Sequence, residues 1–260
     1  MRIRGRRALI PYVTAGFPDD GTCFSILREM AQAGADLIEI GIPFSDPIAD
    51  GAVIQQTSQW ALERGVRLKD VFALAGRLSE HTRIPIVLMG YYNSLLQYGL
   101  DKFVHRASLD GVRGLIVPDL PPEEAEDLRA VGEKHSVGLV HLCAPTSSPE
   151  RIRLLGEKTS GFLYLVSVTG VTGIRERLPQ ELPEFIRRVR KNTSSPICVG
   201  FGISSPKQAQ EAASAADGVI IGSAFLRFIL EHSREKDLPQ RVGTFLGGFR
   251  QALDEIRVLQ

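Results

Sequence analysis

The chain has 260 residues, with 31 Lys and Arg against 30 Asp and Glu, so its formal net charge is +1. This balance argues against a dedicated nucleic-acid or membrane-surface protein, whose affinity depends on an excess of basic side chains. The hydrophobic share of 43% and the charged share of 23% exclude a disordered chain and indicate a globular protein with a large core.

Short β-branched runs alternate with amphipathic helical patterns along the chain, which predicts a repeated strand–helix unit. Eight runs are candidate strands: Ala8–Thr14, Leu37–Ile40, Ile84–Met89, Gly114–Val117, Gly138–Leu142, Phe162–Ser167, Ile197–Phe201 and Gly218–Ile221. The clearest helical segments are Asp20–Gln32, Leu68–Ser79, Pro122–Lys134, Pro149–Lys158, Leu182–Lys191 and Pro206–Ala213. Because the strands are continuous apolar runs, we expect parallel strands covered by helices.

Eight such units in a chain of this length favour a closed (β/α)8 TIM barrel, an α/β fold with a parallel eight-stranded core. An open doubly wound sheet is the alternative, but no GxGxxG motif follows its first strand. No linker or shift in composition divides the chain, so we expect a single domain over residues 1–260.

The sequence shows no signal for targeting, a membrane span or a metal site. Cys23, Cys143 and Cys198 form no CxxC pair and lie among apolar residues, which is typical of buried thiols in a reducing compartment. The basic start of the chain leads into a run too short and too interrupted by proline for a signal peptide. The longest apolar stretch, Gly218 to Leu230, is too short to cross a bilayer. We therefore expect a cytoplasmic protein, or a plastid one in an organism with plastids.

Glu39 lies within an apolar strand, on the face opposite Ile38 and Ile40. Both possible surroundings, the barrel lumen and the helix layer, are poorly solvated, so the pKa of its carboxyl would be raised, which suits proton transfer. A structural carboxylate paired with Lys or Arg is the equal alternative. Asp46 and Asp50 follow in a Pro-rich loop, where aspartates usually form turns. Glu39 and Asp50 together could still transfer protons at two positions of one substrate.

Glycine-rich segments follow the last three strands, at Ser167–Gly173, Gly200–Ser204 and Gly222–Ala224. Glycine allows close approach of a ligand to the backbone, and helix N-termini bind anions, so these segments predict a phosphate site. Aromatic residues near strand ends would suit a flat apolar substrate; they are Tyr12, Phe17, Tyr91, Tyr92, Tyr164 and Phe201. No Ser–His–Asp or metal spacing is present, so carboxylate chemistry is favoured over histidine chemistry.

The run from Glu39 to Gly51, Glu-Ile-Gly-Ile-Pro-Phe-Ser-Asp-Pro-Ile-Ala-Asp-Gly, resembles the signature of tryptophan synthase α subunits. Further matching runs extend the resemblance to residues 8 to 255: Pro11–Gly16, Tyr91–Asn93, Val117–Pro121, Leu142–Thr146, Tyr164–Gly173, Gly200–Ser204 and Gly222–Ala224. The resemblance implies a lyase that cleaves indole-3-glycerol phosphate into indole and glyceraldehyde 3-phosphate by a retro-aldol step.

The same resemblance implies roles for individual residues. Glu39 matches the general acid/base that protonates the indole ring at C3 and takes the proton of the side-chain hydroxyl. Asp50 matches the carboxylate that accepts from, or removes, the indole N–H proton. The implied substrate contacts are Tyr12, Ile54, Tyr91, Tyr164 and Thr172, and the implied phosphate contacts are Gly173, Gly202, Gly222 and Ser223.

The resemblance further implies no metal or cofactor in this chain. Its partner would be a β subunit that carries pyridoxal phosphate and receives indole through a tunnel, in an α2β2 heterotetramer. Pro43–Asp46 and Tyr91–Asn93 would face that partner, and Val168–Pro183 would form a mobile lid. Family members usually carry a helix before the first strand, where only Met1–Arg7 precedes Ala8 here. A free-standing lyase and a non-catalytic subunit that activates its partner are the two alternatives.

Overall fold

The computed structural model describes residues 6–166, 178–200 and 202–256. Within these ranges, all strand pairs are parallel and the sheet has the order β5-β4-β3-β2-β1-β9-β8-β7-β6. The strands are β1 Ala8–Thr14, β2 Ile38–Gly41, β3 Ile86–Met89, β4 Val112–Ile116, β5 Gly138–Val140, β6 Leu142–Cys143, β7 Leu163–Val166, β8 Ile197–Gly200 and β9 Gly218–Ile221.

The helices are α1 Asp20–Gln32, α2 Ala52–Glu63, α3 Leu68–His81, α4 Tyr92–Tyr98, α5 Leu100–Leu109, α6 Glu126–His135, α7 Pro149–Lys158, α8 Leu182–Asn192, α9 Pro206–Ala213, α10 Ser223–Glu231 and α11 Leu238–Asp254. Helices α1 to α9 lie between strands, and α10 and α11 follow the last strand, β9. The bounds predicted for α1, α7 and α9 are confirmed. The helix predicted from Pro122 begins only at Glu126, because turns occupy the residues before it. Helices α2, α4, α5 and α11 lie outside the predicted segments.

The sheet closes on itself at His141. This residue separates β5 from β6, so the two short strands are halves of one barrel strand that joins both ends of the sheet. The backbone N–H of Tyr164 donates to the His141 carbonyl at 3.0 Å, which continues the ladder across the gap. The predicted (β/α)8 barrel is therefore confirmed, and the doubly wound sheet is wrong because its edge strands would not meet.

Strand side chains alternate between two apolar layers. The inward layer fills the barrel with Ala8, Ile10, Leu37, Val87, Ile116, Val140, Phe162, Cys198 and Ile220. The outward side chains, such as Leu9, Val13, Ile38 and Ile40, are fully buried under the helices. All three cysteines are free and buried, as the sequence predicts. None of the described helices is long and apolar enough to cross a membrane.

Candidate active site

Two cavities lie at opposite ends of the barrel. The cavity at the carboxyl ends of the strands has a volume of about 380 Å³. It is lined by Asp50, Ile54, Tyr164, Gly202, Gly222, Ser223 and mostly apolar neighbours such as Ile48, Met89, Pro118, Leu142, Val166 and Ile203. The cavity at the other end, of about 330 Å³, has an almost wholly apolar lining with Arg113 at its edge. Asp50 lines the cavity at the carboxyl end, where barrel chemistry is expected, and Glu39 is not among the residues that line it.

Glu39 points into the barrel. In the strand register it lies between Tyr12 of β1 and Val87 of β3, and Val87 belongs to the inward layer. Its side chain is 1% exposed, and neither carboxylate oxygen has a hydrogen-bond partner among the described residues. Burial, and then the charge of Asp50, raise the pKa of Glu39 to about 8. Among the described residues, Glu39 therefore forms no ion pair.

Asp50 is held in place by Tyr91. Asp50 precedes Gly51, the N-cap residue of α2, and its carboxyl lines the cavity at the carboxyl end. The Tyr91 hydroxyl accepts a hydrogen bond from the backbone N–H of Ala49, the residue before Asp50, at 2.9 Å. Burial raises the pKa of Asp50 to about 6, while the Tyr91 hydroxyl lowers it. Asp50 also forms a turn, since its N–H donates to the Pro47 carbonyl, so the two interpretations of this residue coexist.

The neighbouring loop carries exposed side chains. Asp46 is exposed and accepts a hydrogen bond from the Ser45 hydroxyl, away from the cavity. Ile48 is 86% exposed, which is unusual for an isoleucine. Phe44 stacks on the Tyr91 ring, with ring centroids 5.0 Å apart and planes at 17°. The loop that carries Asp50 is therefore anchored through Tyr91 on its inner side and exposed to solvent on its outer side.

Two glycines make room for two buried tyrosines. A Cβ atom on Gly41 would overlap the Tyr12 hydroxyl, and one on Gly200 would overlap the Tyr164 ring. Burial raises the pKa of both tyrosines well above the usual value, so their hydroxyls stay protonated. Gly200 belongs to a predicted phosphate segment; it lines the cavity and also accommodates Tyr164. In each pair the glycine lies on the same face of the sheet as the tyrosine, two residues beyond the register partner of the tyrosine on the neighbouring strand.

The aromatic residues near strand ends differ in whether they line the cavity. Tyr164 lines the cavity, and the nearby charges of Glu39 and Asp50 contribute to the shift of its pKa. Tyr12 and Tyr91 are buried beside the cavity without lining it. Phe17 is fully buried against Trp60, so it is a core residue. Phe201 lies outside the described residues.

No histidine is among the described residues that line the cavity. His141 is buried at the break between β5 and β6, and its Nε2 atom has no hydrogen-bond partner in the described part of the chain. Burial lowers the pKa of His141 to about 4, so the ring is neutral at physiological pH. Its side chain is absent from the residues that line the cavity.

The predicted phosphate residues converge on the start of α10. Gly222 is its N-cap and Ser223 its first residue; both line the cavity, and no side chain caps this helix. The first N–H groups of a helix carry partial positive charge and bind anions when no side chain uses them. Gly202 lines the same wall with a φ of 66°, a conformation that glycine adopts without strain. Thr172, Gly173 and most of the predicted lid Val168–Pro183 lie outside the described residues.

Comparisons with known proteins agree with this geometry. A family model described as tryptophan synthase alpha chain matches residues 1–253. The chain is 46% identical over 250 residues to the tryptophan synthase alpha chain of Dehalococcoides mccartyi, covering 96% of each chain. It superposes on the tryptophan synthase alpha chain of Legionella pneumophila with a TM-score of 0.89 at 37% identity, covering 98% of this chain and 94% of that one. The corresponding values for a chain of the tryptophan synthase complex of Pyrococcus furiosus are 0.87 and 33%, with 95% and 99% covered.

Proposed function

The chain belongs to the tryptophan synthase alpha chain family, and we propose that Glu39 and Asp50 carry out the family's reaction in it. That reaction cleaves indole-3-glycerol phosphate into indole and glyceraldehyde 3-phosphate, a carbon–carbon lyase step of tryptophan biosynthesis. One observation supports the residue assignment above all. Burial raises the pKa of both carboxyls, to about 8 for Glu39 and about 6 for Asp50, so the two values lie on either side of neutral pH.

Glu39 is the proposed general acid and base. With a pKa of about 8 it holds its proton at neutral pH and can transfer it to C3 of the indole ring. The bond between C3 and the side-chain carbon then breaks, and its electron pair returns to the ring. The side-chain hydroxyl becomes the aldehyde of glyceraldehyde 3-phosphate, and its proton returns to the Glu39 carboxylate. One carboxyl therefore gives and regains one proton in each turnover.

Asp50 is the proposed electrostatic partner at the indole nitrogen. With a pKa of about 6 it is negatively charged at neutral pH. Protonation at C3 places positive charge on the ring nitrogen, and a carboxylate that accepts the N–H hydrogen bond stabilises this charge. Partial exclusion of water strengthens the interaction. The two carboxyls then act on opposite sides of the same ring.

The phosphate is proposed to bind at the start of α10. Among the described residues no Lys or Arg lines the cavity, so the free N–H groups near Gly222 and Ser223 are the available donors, with Gly202 allowing close approach. Tyr164 and Ile54 would contact the indole ring from the cavity wall, and Tyr12 would support that wall from behind. Thr172 and Gly173 remain predicted contacts from the sequence.

The partner of this chain is proposed to be a tryptophan synthase β subunit, in an α2β2 heterotetramer. The exposed loop around Ser45 and Ile48, directly outside Asp50, is the proposed contact surface. Pyridoxal phosphate would be carried by the β subunit, and the steps above use only side chains of this chain. We also propose one domain over residues 1–260 and a cytoplasmic location, as the sequence predicts.

The experiment that tests this function measures indole released from indole-3-glycerol phosphate by the purified chain, alone and with a β subunit. We expect slow release by the chain alone and strong stimulation by the β subunit. Equal rates with and without the β subunit would identify a free-standing lyase. No indole in either case would identify a non-catalytic subunit.

A further inference from the structure

Asp119 supports the start of helix α4 from a neighbouring loop. Asp119 follows strand β4, and its carboxylate accepts the backbone N–H of Tyr92, at 2.9 Å to one oxygen and 3.2 Å to the other. Tyr92 is the first residue of α4, and Tyr91 is its N-cap residue, whose own side chain makes no capping bond. Asp119 therefore supplies from outside the acceptor that a capping side chain normally provides.

This bond fixes the residue that holds Asp50. Tyr91 is 3% exposed, and its hydroxyl receives the Ala49 N–H, so its single proton is available for the Asp50 carboxylate. Helix α4 has only seven residues, too few to be stable without tertiary contacts. The position of the Tyr91 hydroxyl thus depends on what holds the first turn of this short helix. A carboxylate at a helix N-terminus also interacts favourably with the helix dipole.

We propose that Asp119 is a positioning residue for Asp50: it fixes the first turn of α4 and thereby keeps the Tyr91 hydroxyl on the Ala49 N–H, beside the Asp50 carboxylate. The inference rests on the proposed function of Asp50. The effect passes through Tyr91, because the groups that shift the pKa of Asp50 are burial and Tyr91, and Asp119 is not among them. Burial raises the pKa of Asp50 and the Tyr91 hydroxyl lowers it. If the hydroxyl is displaced, only the effect of burial remains, so the pKa of Asp50 rises above about 6.

The test uses the assembled complex with the β subunit and records kcat/KM for indole-3-glycerol phosphate against pH. Asp119→Ala and Tyr91→Phe should both move the acid limb to higher pH, with about three- to tenfold lower kcat/KM near pH 6 and a smaller loss above pH 7. The double variant should shift no further than Tyr91→Phe alone. Asp119→Asn keeps an oxygen acceptor for the Tyr92 N–H, so it should shift the limb less than half as far as Asp119→Ala.

Asp70→Ala is the matched control. Asp70 also accepts a backbone N–H at the start of a helix, from Arg67 at 2.8 Å, but it lies outside the cavity lining. The control should lose some stability and keep the wild-type acid limb. If the acid limb of Asp119→Ala lies at the wild-type pH while that of Tyr91→Phe is shifted, the inference about Asp119 is wrong. The proposed function of Asp50 is unaffected by that result. Near-normal turnover in Asp50→Asn would overturn the proposed function of Asp50 and the inference together.

Discussion

The charge of Asp50 adds to burial in raising the pKa of Glu39, although one carboxyl comes from a loop and the other from inside a strand. The charge of Asp50 therefore favours the protonated form of Glu39. At neutral pH the pair carries one proton, held on Glu39. This is the protonation state that donation to C3 requires while an anion faces the indole nitrogen.

The pH dependence of kcat/KM is predicted to be bell-shaped. Asp50 must be ionised, so activity falls as pH drops through about 6, and Glu39 must be protonated, so activity falls as pH rises through about 8. Steady-state indole release from pH 5 to pH 9.5 measures both limbs. A profile that keeps rising beyond pH 9 would contradict the role of Glu39 as the acid.

Glu39→Gln is predicted to lower kcat by a factor of about 10³ or more, because an amide can neither give nor regain the proton. Retention of the far-UV circular dichroism spectrum and of phosphate-ligand binding would show that the fold and cavity remain. Turnover within tenfold of the wild type would remove Glu39 from the mechanism.

Glu39→Gln is also predicted to change how the free energy of unfolding depends on pH. The folded-state pKa of Glu39, about 8, lies above the unfolded value of 4.5, so its contribution to stability is complete below pH 4.5 and is lost as pH rises through about 8. Between pH 5 and pH 9 the wild type should lose about 2–4 kcal/mol of unfolding free energy relative to Glu39→Gln. Urea titrations at several pH values measure this difference. Parallel curves for the two proteins would show that Glu39 is not desolvated.

Gly222→Ala tests the phosphate site. The nearest protein atom to an added Cβ is 3.8 Å away, so the fold should tolerate it, but the methyl group would narrow the approach to the first N–H groups of α10. We expect KM to rise about tenfold with unchanged thermal stability, as expected for the loss of about 1.4 kcal/mol of binding. Gly247→Ala, in α11 with open space around it, is the control and should leave KM unchanged. Equal KM values in the two variants would exclude phosphate from this position.

Arg250→Ala tests a buried ion pair between helix α11 and Asp36, at the end of the barrel opposite the site. Arg250 is 7% exposed and pairs at 3.0 Å with Asp36, which also accepts the Leu9 backbone N–H. Removing the arginine leaves a buried carboxylate with one partner fewer, so we expect a loss of about 3 kcal/mol of unfolding free energy. Because the pair lies far from the cavity, kcat should change little.

Arg241→Ala, in the same helix, is the control for that prediction. Its ion pairs with Glu235 and Asp237 are solvent-exposed, so the loss should stay below about 1 kcal/mol. Similar losses in both variants would show that the Arg250 pair is no stronger than a surface pair.

The sequence alone determined the barrel and singled out Glu39 as a candidate for proton transfer. Continuous apolar runs at regular spacing predict buried parallel strands. Successive side chains of a strand point to opposite faces, so Glu39 lies on the face opposite Ile38 and Ile40 whatever the position of the strand in the sheet. The glycine segments and the run from Glu39 to Gly51 likewise depend only on local order along the chain. Such features are encoded within a few residues, so they can be recognised without a structure.

The tertiary structure decided what surrounds these residues. Only the closed sheet shows that Glu39 has no cationic partner among the described residues, that Tyr91 binds the backbone N–H beside Asp50, and that Gly200 makes room for Tyr164. These contacts join residues from different strand–helix units, and their distances follow from the register and tilt of the barrel strands. A pattern along one strand fixes which way a side chain points. Closure of the barrel fixes what that side chain meets.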